Sequence, residues 1–343
     1  MSVKKIISDL SNNNTALLLD DISNCSYLIH PAQSINNDNV SFIVNNSKGI
    51  VFVAICSDRV KKLGLNFLVK NSTSTLKNMT VSVEARYGVS TGISCADRAT
   101  TLNVLSNTND AKQDIVTPGH IFPVSSKTGG VLVKASITEA AVDLCKMAKL
   151  KPFCAYSQCL DQDGEILSIE KSKKLAEKVN LNFCTISSIV NYRLNKENII
   201  EEVEKKALEK SINLHVFESK VDKTSRHYAI TVNKENFNNA VLVRVISEET
   251  INDVFALDSA KRKEKLSNAI QSIKSDGTGA LLYIKHPRRD VGNIQNDLIR
   301  ELGIGAQILR NLGIKNIKLL TSSKKALDGL KAFGIEIDEK IKV

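Results

Sequence analysis

The chain has 343 residues, of which 42% are hydrophobic and 24% are charged, and its formal net charge is +10. This composition is typical of folded globular proteins and the length is sufficient for two domains, whereas no apolar run approaches the roughly 18 residues needed to span a bilayer. The chain starts with a mixed polar segment rather than an apolar secretion signal, so we expect a cytoplasmic protein without membrane association.

The first half of the chain, residues 1–195, is predicted to form one α+β domain. The apolar, β-branched run Gly49–Ile55 predicts a buried strand. The segment Thr138–Ala148 has apolar residues at helical spacing, and a hydroxyl at Thr138 would cap that helix. Turns or loops are predicted at three asparagine-rich segments, residues 12–14, 36–39 and 107–110.

In the second half, residues 196–343, strands and helices are predicted to alternate, as in α/β or α+β domains. The charged stretch Lys196–Ser211 has its apolar residues at helical spacing, and we interpret it as the connector between the halves. The elements predicted after it, in chain order, are strands at His227–Val232 and Ala240–Val245, a helix at Lys265–Lys274, a strand at Ala280–Ile284, a helix at Ile304–Leu312 and a strand at Lys318–Thr321.

Three segments of the first half carry a recognisable pattern. Residues 81–101 read Val-Ser-Val-Glu-Ala-Arg-Tyr-Gly-Val-Ser-Thr-Gly-Ile-Ser-Cys-Ala-Asp-Arg-Ala-Thr-Thr, residues 118–123 read Pro-Gly-His-Ile-Phe-Pro, and residues 138–144 read Thr-Glu-Ala-Ala-Val-Asp-Leu. This pattern resembles 3,4-dihydroxy-2-butanone 4-phosphate synthase, which converts ribulose 5-phosphate to a four-carbon phosphosugar and formate. The resemblance implies an α+β domain with a mixed sheet that forms a homodimer with its active site near the subunit interface, and that uses magnesium.

The residues that perform the chemistry in that family are missing here. The family's early acidic loop begins with matching Asp20 and Asp21, but no acid or arginine follows from Ile22 to Asn37. The positions expected to supply metal ligands and acids are instead occupied by side chains that do not serve those roles, namely Asn24, Cys25, Ile137 and Gln158. We therefore predict no metal site and no intact catalytic set in this half.

Polar residues that suit a sugar phosphate are nevertheless retained in the first half. Arginine and lysine with neighbouring hydroxyls can hold a phosphate without catalysing a reaction. The predicted phosphosugar-binding residues are Thr91, Ser94, Asp97, Arg98, Thr101, His120, Lys134 and Thr138. Two alternatives remain open, because Asp97 and Arg98 could form a pair internal to the fold and His120 could be a satisfied buried histidine.

The second half resembles GTP cyclohydrolase II, whose zinc is held by three cysteines. Those positions fall on or near Glu249, Ala260 and Arg262, and no cysteine follows Cys184 anywhere in the chain. A catalytic zinc needs three protein ligands and one open position, so we predict neither zinc nor hydrolysis. Nucleotide contacts are predicted at Arg244, Ser247, Glu248, Arg289 and Thr321, and the alternative is that these residues belong to a packing scaffold.

Together the halves resemble the bifunctional riboflavin-biosynthesis fusion, with domains at residues 1–195 and 196–343. The leading interpretation is a catalytically inactive paralogue that acts as a regulatory or scaffold subunit with residual phosphosugar binding. The alternative is an active or weak synthase acting on ribulose 5-phosphate. We expect no cofactor, a homodimer formed through the first domain, and an active riboflavin-pathway relative as a further partner. A nucleotide- or RNA-binding module using the basic run Lys261–Lys265 is a third interpretation, but the positive charge is shared evenly between the halves.

Overall fold

The computed structural model describes residues 2–69, 78–109, 111–222, 225–234, 237, 240–249, 260–285, 294–321 and 323–342. The chain divides into two compact units, Met1–Val190 and Asn191–Val343. Both combine a mixed sheet with helices, which confirms the expected α+β architecture of two domains. Within the described residues, no helix is long and apolar enough to cross a membrane.

The first unit contains a seven-stranded sheet in the order β4-β5-β3-β6-β2-β1-β7. Its strands are β1 Ala16–Asp20, β2 Cys25–Pro31, β3 Val51–Cys56, β4 Val83–Ala85, β5 Ile115–Ser126, β6 Phe153–Gln158 and β7 Phe183–Thr185. The β3–β5 and β1–β7 pairs are parallel and the other pairs are antiparallel, so the sheet is mixed as predicted.

Helices cover both faces of this sheet. They are α1 Val3–Ser11, α2 Asn37–Ser47, α3 Ser57–Lys62, α4 Cys95–Asn107, α5 Ala111–Asp114, α6 Ile137–Met147, α7 Ile169–Lys178 and α8 Ile186–Lys196, the last of which continues into the second unit. Helices α2, α4 and α7 bury their apolar sides against one face of the sheet, while α1 and α6 pack together on the other. The result is a three-layered domain.

Two local expectations for the first unit need correction. The residue that precedes α6 in extended conformation is Ser136, so Thr138 lies in the first turn of the helix and is not its cap. The segment 36–39 is not a plain turn, since Asn36 caps α2 through a reciprocal bond with Asn39 and the helix begins at Asn37. In both cases polar side chains mark the start of a helix.

The second unit has a seven-stranded sheet in the order β14-β13-β11-β12-β10-β9-β8. Its strands are β8 Ile200–Glu209, β9 Ile212–Ser219, β10 Arg226–Val232, β11 Val241–Ser247, β12 Gly279–Ile284, β13 Asn316–Leu320 and β14 Glu336–Ile341, and its helices are α9 Ala260–Asp276, α10 Ile294–Asn311 and α11 Lys324–Ala332. The four strands from β14 to β12 are parallel, and β10, β9 and β8 continue the sheet in antiparallel fashion.

The elements predicted after residue 211 are confirmed, whereas the helical connector is not. Residues 200–209 form an edge strand, β8, with all residues after Ile200 exposed. The apolar residues of this stretch fit a helical period only by coincidence, because a strand exposed on both faces has no alternation of apolar and polar residues to reveal it.

Candidate functional site

The segment predicted to correspond to the family's acidic loop forms a tight hairpin turn between β1 and β2. The two strands pair from Ala16↔Ile29 to Asp20↔Cys25, which leaves only four residues to connect them. The Asp20 carboxylate accepts bonds from the backbone N–H groups of Ile22 and Ser23 at 3.1 and 3.0 Å. Asn24 is exposed in left-handed conformation with φ of 52°. The acid that remains here therefore stabilises the turn.

Two of the residues predicted to stand at former catalytic positions, Cys25 and Gln158, lie together with two tyrosines of the sheet. The Cys25 thiol donates to the Tyr27 hydroxyl at 3.5 Å and also interacts with Gln158, which is opposite Tyr27 across β2 and β6. The rings of Tyr27 and Tyr156 meet edge to face with centroids 6.0 Å apart. We call Cys25, Tyr27, Tyr156, Gln158 and Thr138, whose hydroxyl bonds to Tyr156, the tyrosine cluster.

The tyrosine cluster does not fit a magnesium ion. Burial raises the pKa of the Cys25 thiol and of the Tyr27 and Tyr156 hydroxyls, so all three stay protonated near neutral pH. Magnesium requires hard oxygen ligands in octahedral geometry, usually including carboxylates. Gln158 offers a neutral amide, and the half-buried Ile137 at the first position of α6 offers no donor. The cluster therefore has no charged ligand.

A second group of polar residues surrounds Glu84 on β4. Its carboxylate lies 2.7 Å from the His120 Nδ1 atom and accepts a bond from the Thr101 hydroxyl at 3.3 Å. The Glu84 side chain is 11% exposed, whereas that of His120 is 42% exposed. A buried acceptor thus orients an imidazole toward solvent, contrary to the alternative that His120 is buried. We call Glu84, Thr101, His120 and Asp97 the Glu84 cluster.

Asp97 fixes the loop that covers Glu84. Its carboxylate accepts bonds from the Ser90 hydroxyl at 2.8 Å and the Gly92 N–H at 3.0 Å, and these bonds, chiefly that of Ser90, lower the pKa of Asp97. Asp97 is therefore bonded to this loop rather than to Arg98. At Gly92, with φ of 83°, a Cβ would lie 2.0 Å from the Glu84 carboxylate, so a glycine is needed there.

The remaining predicted phosphosugar residues lie around these clusters. Thr91 and Ser94 are exposed, and the Ser94 hydroxyl caps α4 by accepting the Asp97 N–H. Arg98 is partly buried; one of its terminal nitrogens contacts the Cys95 sulfur at 3.6 Å, and its Nε is buried without a partner. Lys134 lies near the fully buried Glu139 and counteracts the rise in the pKa of that carboxyl caused by burial.

In the second unit, several predicted nucleotide residues lie near the carboxyl ends of the parallel strands. Ser247 ends β11 and bonds to Glu301, and Thr321 follows β13. Glu248 forms an ion pair with Lys285 at 3.5 Å, while Arg244 donates to the Leu320 carbonyl at 2.6 Å. In open α/β sheets this edge is where ligands bind.

Other predictions for the second unit fall on residues whose placement is not described. Arg289 lies outside the described residues, as do the side chains of Ala260 and Arg262 and all but Glu264 of the basic run 261–265. Glu249 is described, but the ten residues that follow it are not. Among the described residues, no three His, Cys, Asp or Glu side chains are grouped so that they could hold a metal ion.

Sequence reasoning missed Glu84, Tyr27 and Tyr156, although one signal for Glu84 was present. Glu84 is the one acid in a short apolar strand, between the fully buried Val83 and Ala85. A short strand that is apolar except for one acid is consistent with burial on both faces, and a carboxylate buried in such a strand requires partners. Its contact with His120, 36 residues further along, cannot be read from spacing.

Comparisons with known proteins agree with this architecture. The profile of the 3,4-dihydroxy-2-butanone 4-phosphate synthase family matches residues 4–192, and that of the GTP cyclohydrolase II family matches residues 198–342. The riboflavin biosynthesis protein RibBA of Chlorobium phaeovibrioides is 30% identical, covering 99% of the chain and 90% of the relative. The probable bifunctional riboflavin biosynthesis protein RIBA 2 of Oryza sativa subsp. japonica is 31% identical over 98% of the chain, which spans 66% of that relative's length.

A solved structure extends the similarity to both units. The crystal structure of RibBX, a two-domain 3,4-dihydroxy-2-butanone 4-phosphate synthase from A. baumannii, is 26% identical to the chain. The two structures align with a TM-score of 0.85 over 99% of each chain. The similarity therefore includes the second unit as well as the first.

Proposed function

The chain belongs to the riboflavin-biosynthesis family that joins a 3,4-dihydroxy-2-butanone 4-phosphate synthase domain to a GTP cyclohydrolase II domain, and on that premise we propose that it binds a phosphosugar without converting it. In this role the protein is a regulatory or scaffold subunit. The observation that carries the proposal is a contrast between the two clusters. The tyrosine cluster has no charged ligand, whereas in the Glu84 cluster the carboxylate contacts both His120 and Thr101.

The donors of the tyrosine cluster support the proposed absence of turnover. Rearrangement of a ketose phosphate proceeds through enediols, which need a divalent metal to polarise oxygens and carboxylates to move protons. Burial raises the pKa of Cys25 and of Tyr27, so both side chains stay protonated. The Gln158 amide does not exchange a proton near neutral pH. The Asp20 carboxylate accepts hydrogen bonds within the turn between β1 and β2. The described residues of this cluster therefore supply neither requirement.

Binding is supported by the Glu84 cluster and the residues beside it. The His120 ring is exposed to solvent and is oriented by its contact with Glu84. Asp97 holds the loop between Gly88 and Ser94 by accepting hydrogen bonds from Ser90 and Gly92. Arg98, next to Asp97 on α4, and Lys134, near Glu139, are the cations that we propose for the phosphate, because charge-assisted bonds contribute about 1.5–3 kcal/mol each. Two or three such bonds are enough for affinity in the micromolar to millimolar range.

We propose that the protein forms a homodimer through its first unit. Three consecutive apolar residues of that unit, Phe67, Leu68 and Val69, are 45%, 50% and 47% exposed. Contiguous apolar exposure of this kind marks interaction surfaces in soluble proteins. The same surface would also suit an active relative with the same fold, and a mixed dimer would provide the regulatory role.

The proposal is tested by calorimetric titration of ribulose 5-phosphate into the full chain, with magnesium and with a chelator. We expect saturable binding of similar affinity in both buffers, and no saturable heat with ribulose, which lacks the phosphate. Binding that requires magnesium would contradict the proposal and favour the active synthase, as RibBX is described. Absence of binding at millimolar ligand would also contradict the proposal, because only a scaffold role without ligand binding would then remain.

A further inference from the structure

An open cavity of about 340 Å³ lies at the carboxyl end of α4 in the first unit. The residues that line it come from α4, from the segment after β4 and from α5, and they are Tyr87, Val104, Asn107, Thr108 and Asp114. Thr108 follows Thr101 of the Glu84 cluster by seven residues, which is roughly 10 Å along a helix. Pockets of this volume hold small organic ligands. We call it the α4 cavity.

Tyr87 gives the α4 cavity an exposed aromatic wall. It is 74% exposed, and Val104 on α4 adds a partly buried aliphatic surface to the same lining. The flat face of a nucleobase stacks on an aromatic side chain whatever its hydrogen-bonding edge. The apolar part of the lining therefore suits a planar heterocycle.

Asp114 supplies the negative charge of the lining. Its carboxylate accepts a hydrogen bond from the Thr108 hydroxyl, and its backbone carbonyl accepts the Arg86 N–H at 2.8 Å. These bonds fix the position of a carboxylate that stays partly exposed. A carboxylate only accepts hydrogen bonds and has about four lone-pair sites, so beside Thr108 it can accept two more donors. The polar part of the lining suits a ligand edge with neighbouring N–H groups.

Three cations surround this carboxylate. Arg86 donates to the backbone carbonyls on both sides of Asp114, at 2.7 and 3.3 Å. Arg59 donates to the Thr108 carbonyl, and Lys151 donates to the side chain of the last residue of α4. With three positive charges around one negative charge, a simple amine or guanidine ligand would be repelled, whereas a phosphate would be attracted.

The neighbouring charged residues that the structure describes keep this sign. On α3, the one acid, Asp58, is outnumbered by the three basic residues of the last turn. On β4, the Glu84 carboxylate contacts His120. The α4 cavity thus combines an aromatic wall, one oriented carboxylate and a positive rim.

From these observations we infer that the α4 cavity binds a guanine mononucleotide. The guanine edge carries N1–H and the 2-amino group side by side, which gives two donors for the Asp114 carboxylate. The ring stacks on Tyr87 and the phosphate meets the positive rim. Adenine presents one donor beside a ring-nitrogen acceptor, and that acceptor would face the carboxylate oxygens. The inference is independent of phosphosugar binding at the Glu84 cluster.

The first measurement is calorimetric titration of the full chain with guanosine, inosine and adenosine 5′-monophosphates. Inosine monophosphate lacks the 2-amino group, so it should bind roughly tenfold more weakly than guanosine monophosphate, and adenosine monophosphate should bind more weakly still. Saturating ribulose 5-phosphate should leave these affinities unchanged. Equal affinity for the three nucleotides, absence of binding at millimolar guanosine monophosphate, or displacement by ribulose 5-phosphate would each overturn the inference.

The second measurement is a change of base preference. Asp114→Asn replaces the carboxylate by an amide with one acceptor and one donor group, which matches the edge of adenine. The variant should bind guanosine monophosphate roughly tenfold more weakly and adenosine monophosphate more tightly than the wild type does. Asp38→Asn, at an exposed position of α2, is the matched control and should bind as the wild type. Equal weakening of both nucleotides by Asp114→Asn would refute the assigned base contact.

The third measurement locates the nucleotide, because contacts to nucleotides are also predicted in the second unit. Photo-crosslinking with 8-azidoguanosine monophosphate should label peptides that contain Tyr87 or Asp114. Labelling should fall in Tyr87→Ala and persist in Tyr87→Phe, which keeps the ring. Labelling confined to residues 196–343, or labelling that is insensitive to Tyr87→Ala, would contradict the placement in the α4 cavity.

Discussion

At the scale of single residues, Glu84 is expected to determine ligand affinity through His120. Its carboxylate is the charged acceptor that fixes the His120 ring at 2.7 Å and also bonds Thr101. The Glu84→Gln variant keeps the shape of the side chain but removes its charge. We expect calorimetry to show roughly tenfold weaker binding of ribulose 5-phosphate, because one charge-assisted bond is lost. Glu177→Gln, at an exposed position of α7, is the control and should bind normally. Equal affinities of the two variants would contradict a role for Glu84.

His30 gives a residue-scale prediction about pH. It is fully buried on β2, its Nδ1 atom bonds Thr15 at 3.0 Å, and burial lowers its pKa to about 4. An unfolded histidine has a pKa near 6.5, so the unfolded state binds the proton first as the pH falls. The contribution of His30 to stability is therefore complete above pH of about 6.5 and is lost toward pH 4, by about 3 kcal/mol.

The His30→Phe variant tests this prediction, because phenylalanine fills a similar volume and does not titrate. Denaturant unfolding at several pH values should show that the wild type loses about 3 kcal/mol more than the variant between pH 7 and pH 4. Other groups titrate in both proteins and cancel in the comparison. Two pH curves that run parallel would show that His30 is not the responsible group.

At the scale of elements, the turn before α6 depends on Gly130. This residue has φ of 64°, and a Cβ there would lie 2.1 Å from the Asp143 carboxylate on α6, which accepts the Val131 N–H at 2.8 Å. Gly164 has φ of 82° but no atoms within 4 Å of its Cβ position. Substitution by alanine costs about 1–2 kcal/mol at either position for the left-handed backbone, and Gly130→Ala should cost at least about 2 kcal/mol more from the collision. Chemical denaturation measures the difference, and equal losses would contradict the packing of α6 on this turn.

The predictability of each element from sequence depended on what covers it. Strands such as β3 and β12 were predictable because burial on both faces selects continuous apolar runs. Strand β8 was not, since its residues from Glu201 to Glu209 are exposed and solvent selects polar side chains there. The residues of the Glu84 cluster were also predictable only in part. His120 and Asp97 stood in recognisable motifs, whereas their connection through Glu84 depends on strand pairing between β4 and β5, which the local sequence does not encode.

At the scale of the whole molecule, the proposed dimer surface of the first unit can be disrupted by one charge. Leu68→Glu places a carboxylate in the centre of the exposed apolar residues 67–69. We expect it to weaken self-association in sedimentation equilibrium by at least tenfold, because burial of an unpaired charge is costly. Ile166→Glu, at a position of the same unit that is 56% exposed, is the matched control. Equal association of both variants would place the interface elsewhere.

We propose that the chain retains a phosphosugar site without the chemistry of its family. The most direct test is formate release from ribulose 5-phosphate with saturating magnesium, followed by proton NMR beside an active synthase of the same family. Since the tyrosine cluster has only neutral side chains where a metal and carboxylates are needed, we predict no formate above the spontaneous rate, at ligand concentrations where calorimetry shows the site to be occupied. Magnesium-dependent formate release that scales with protein concentration would contradict the account and identify the chain as a working synthase.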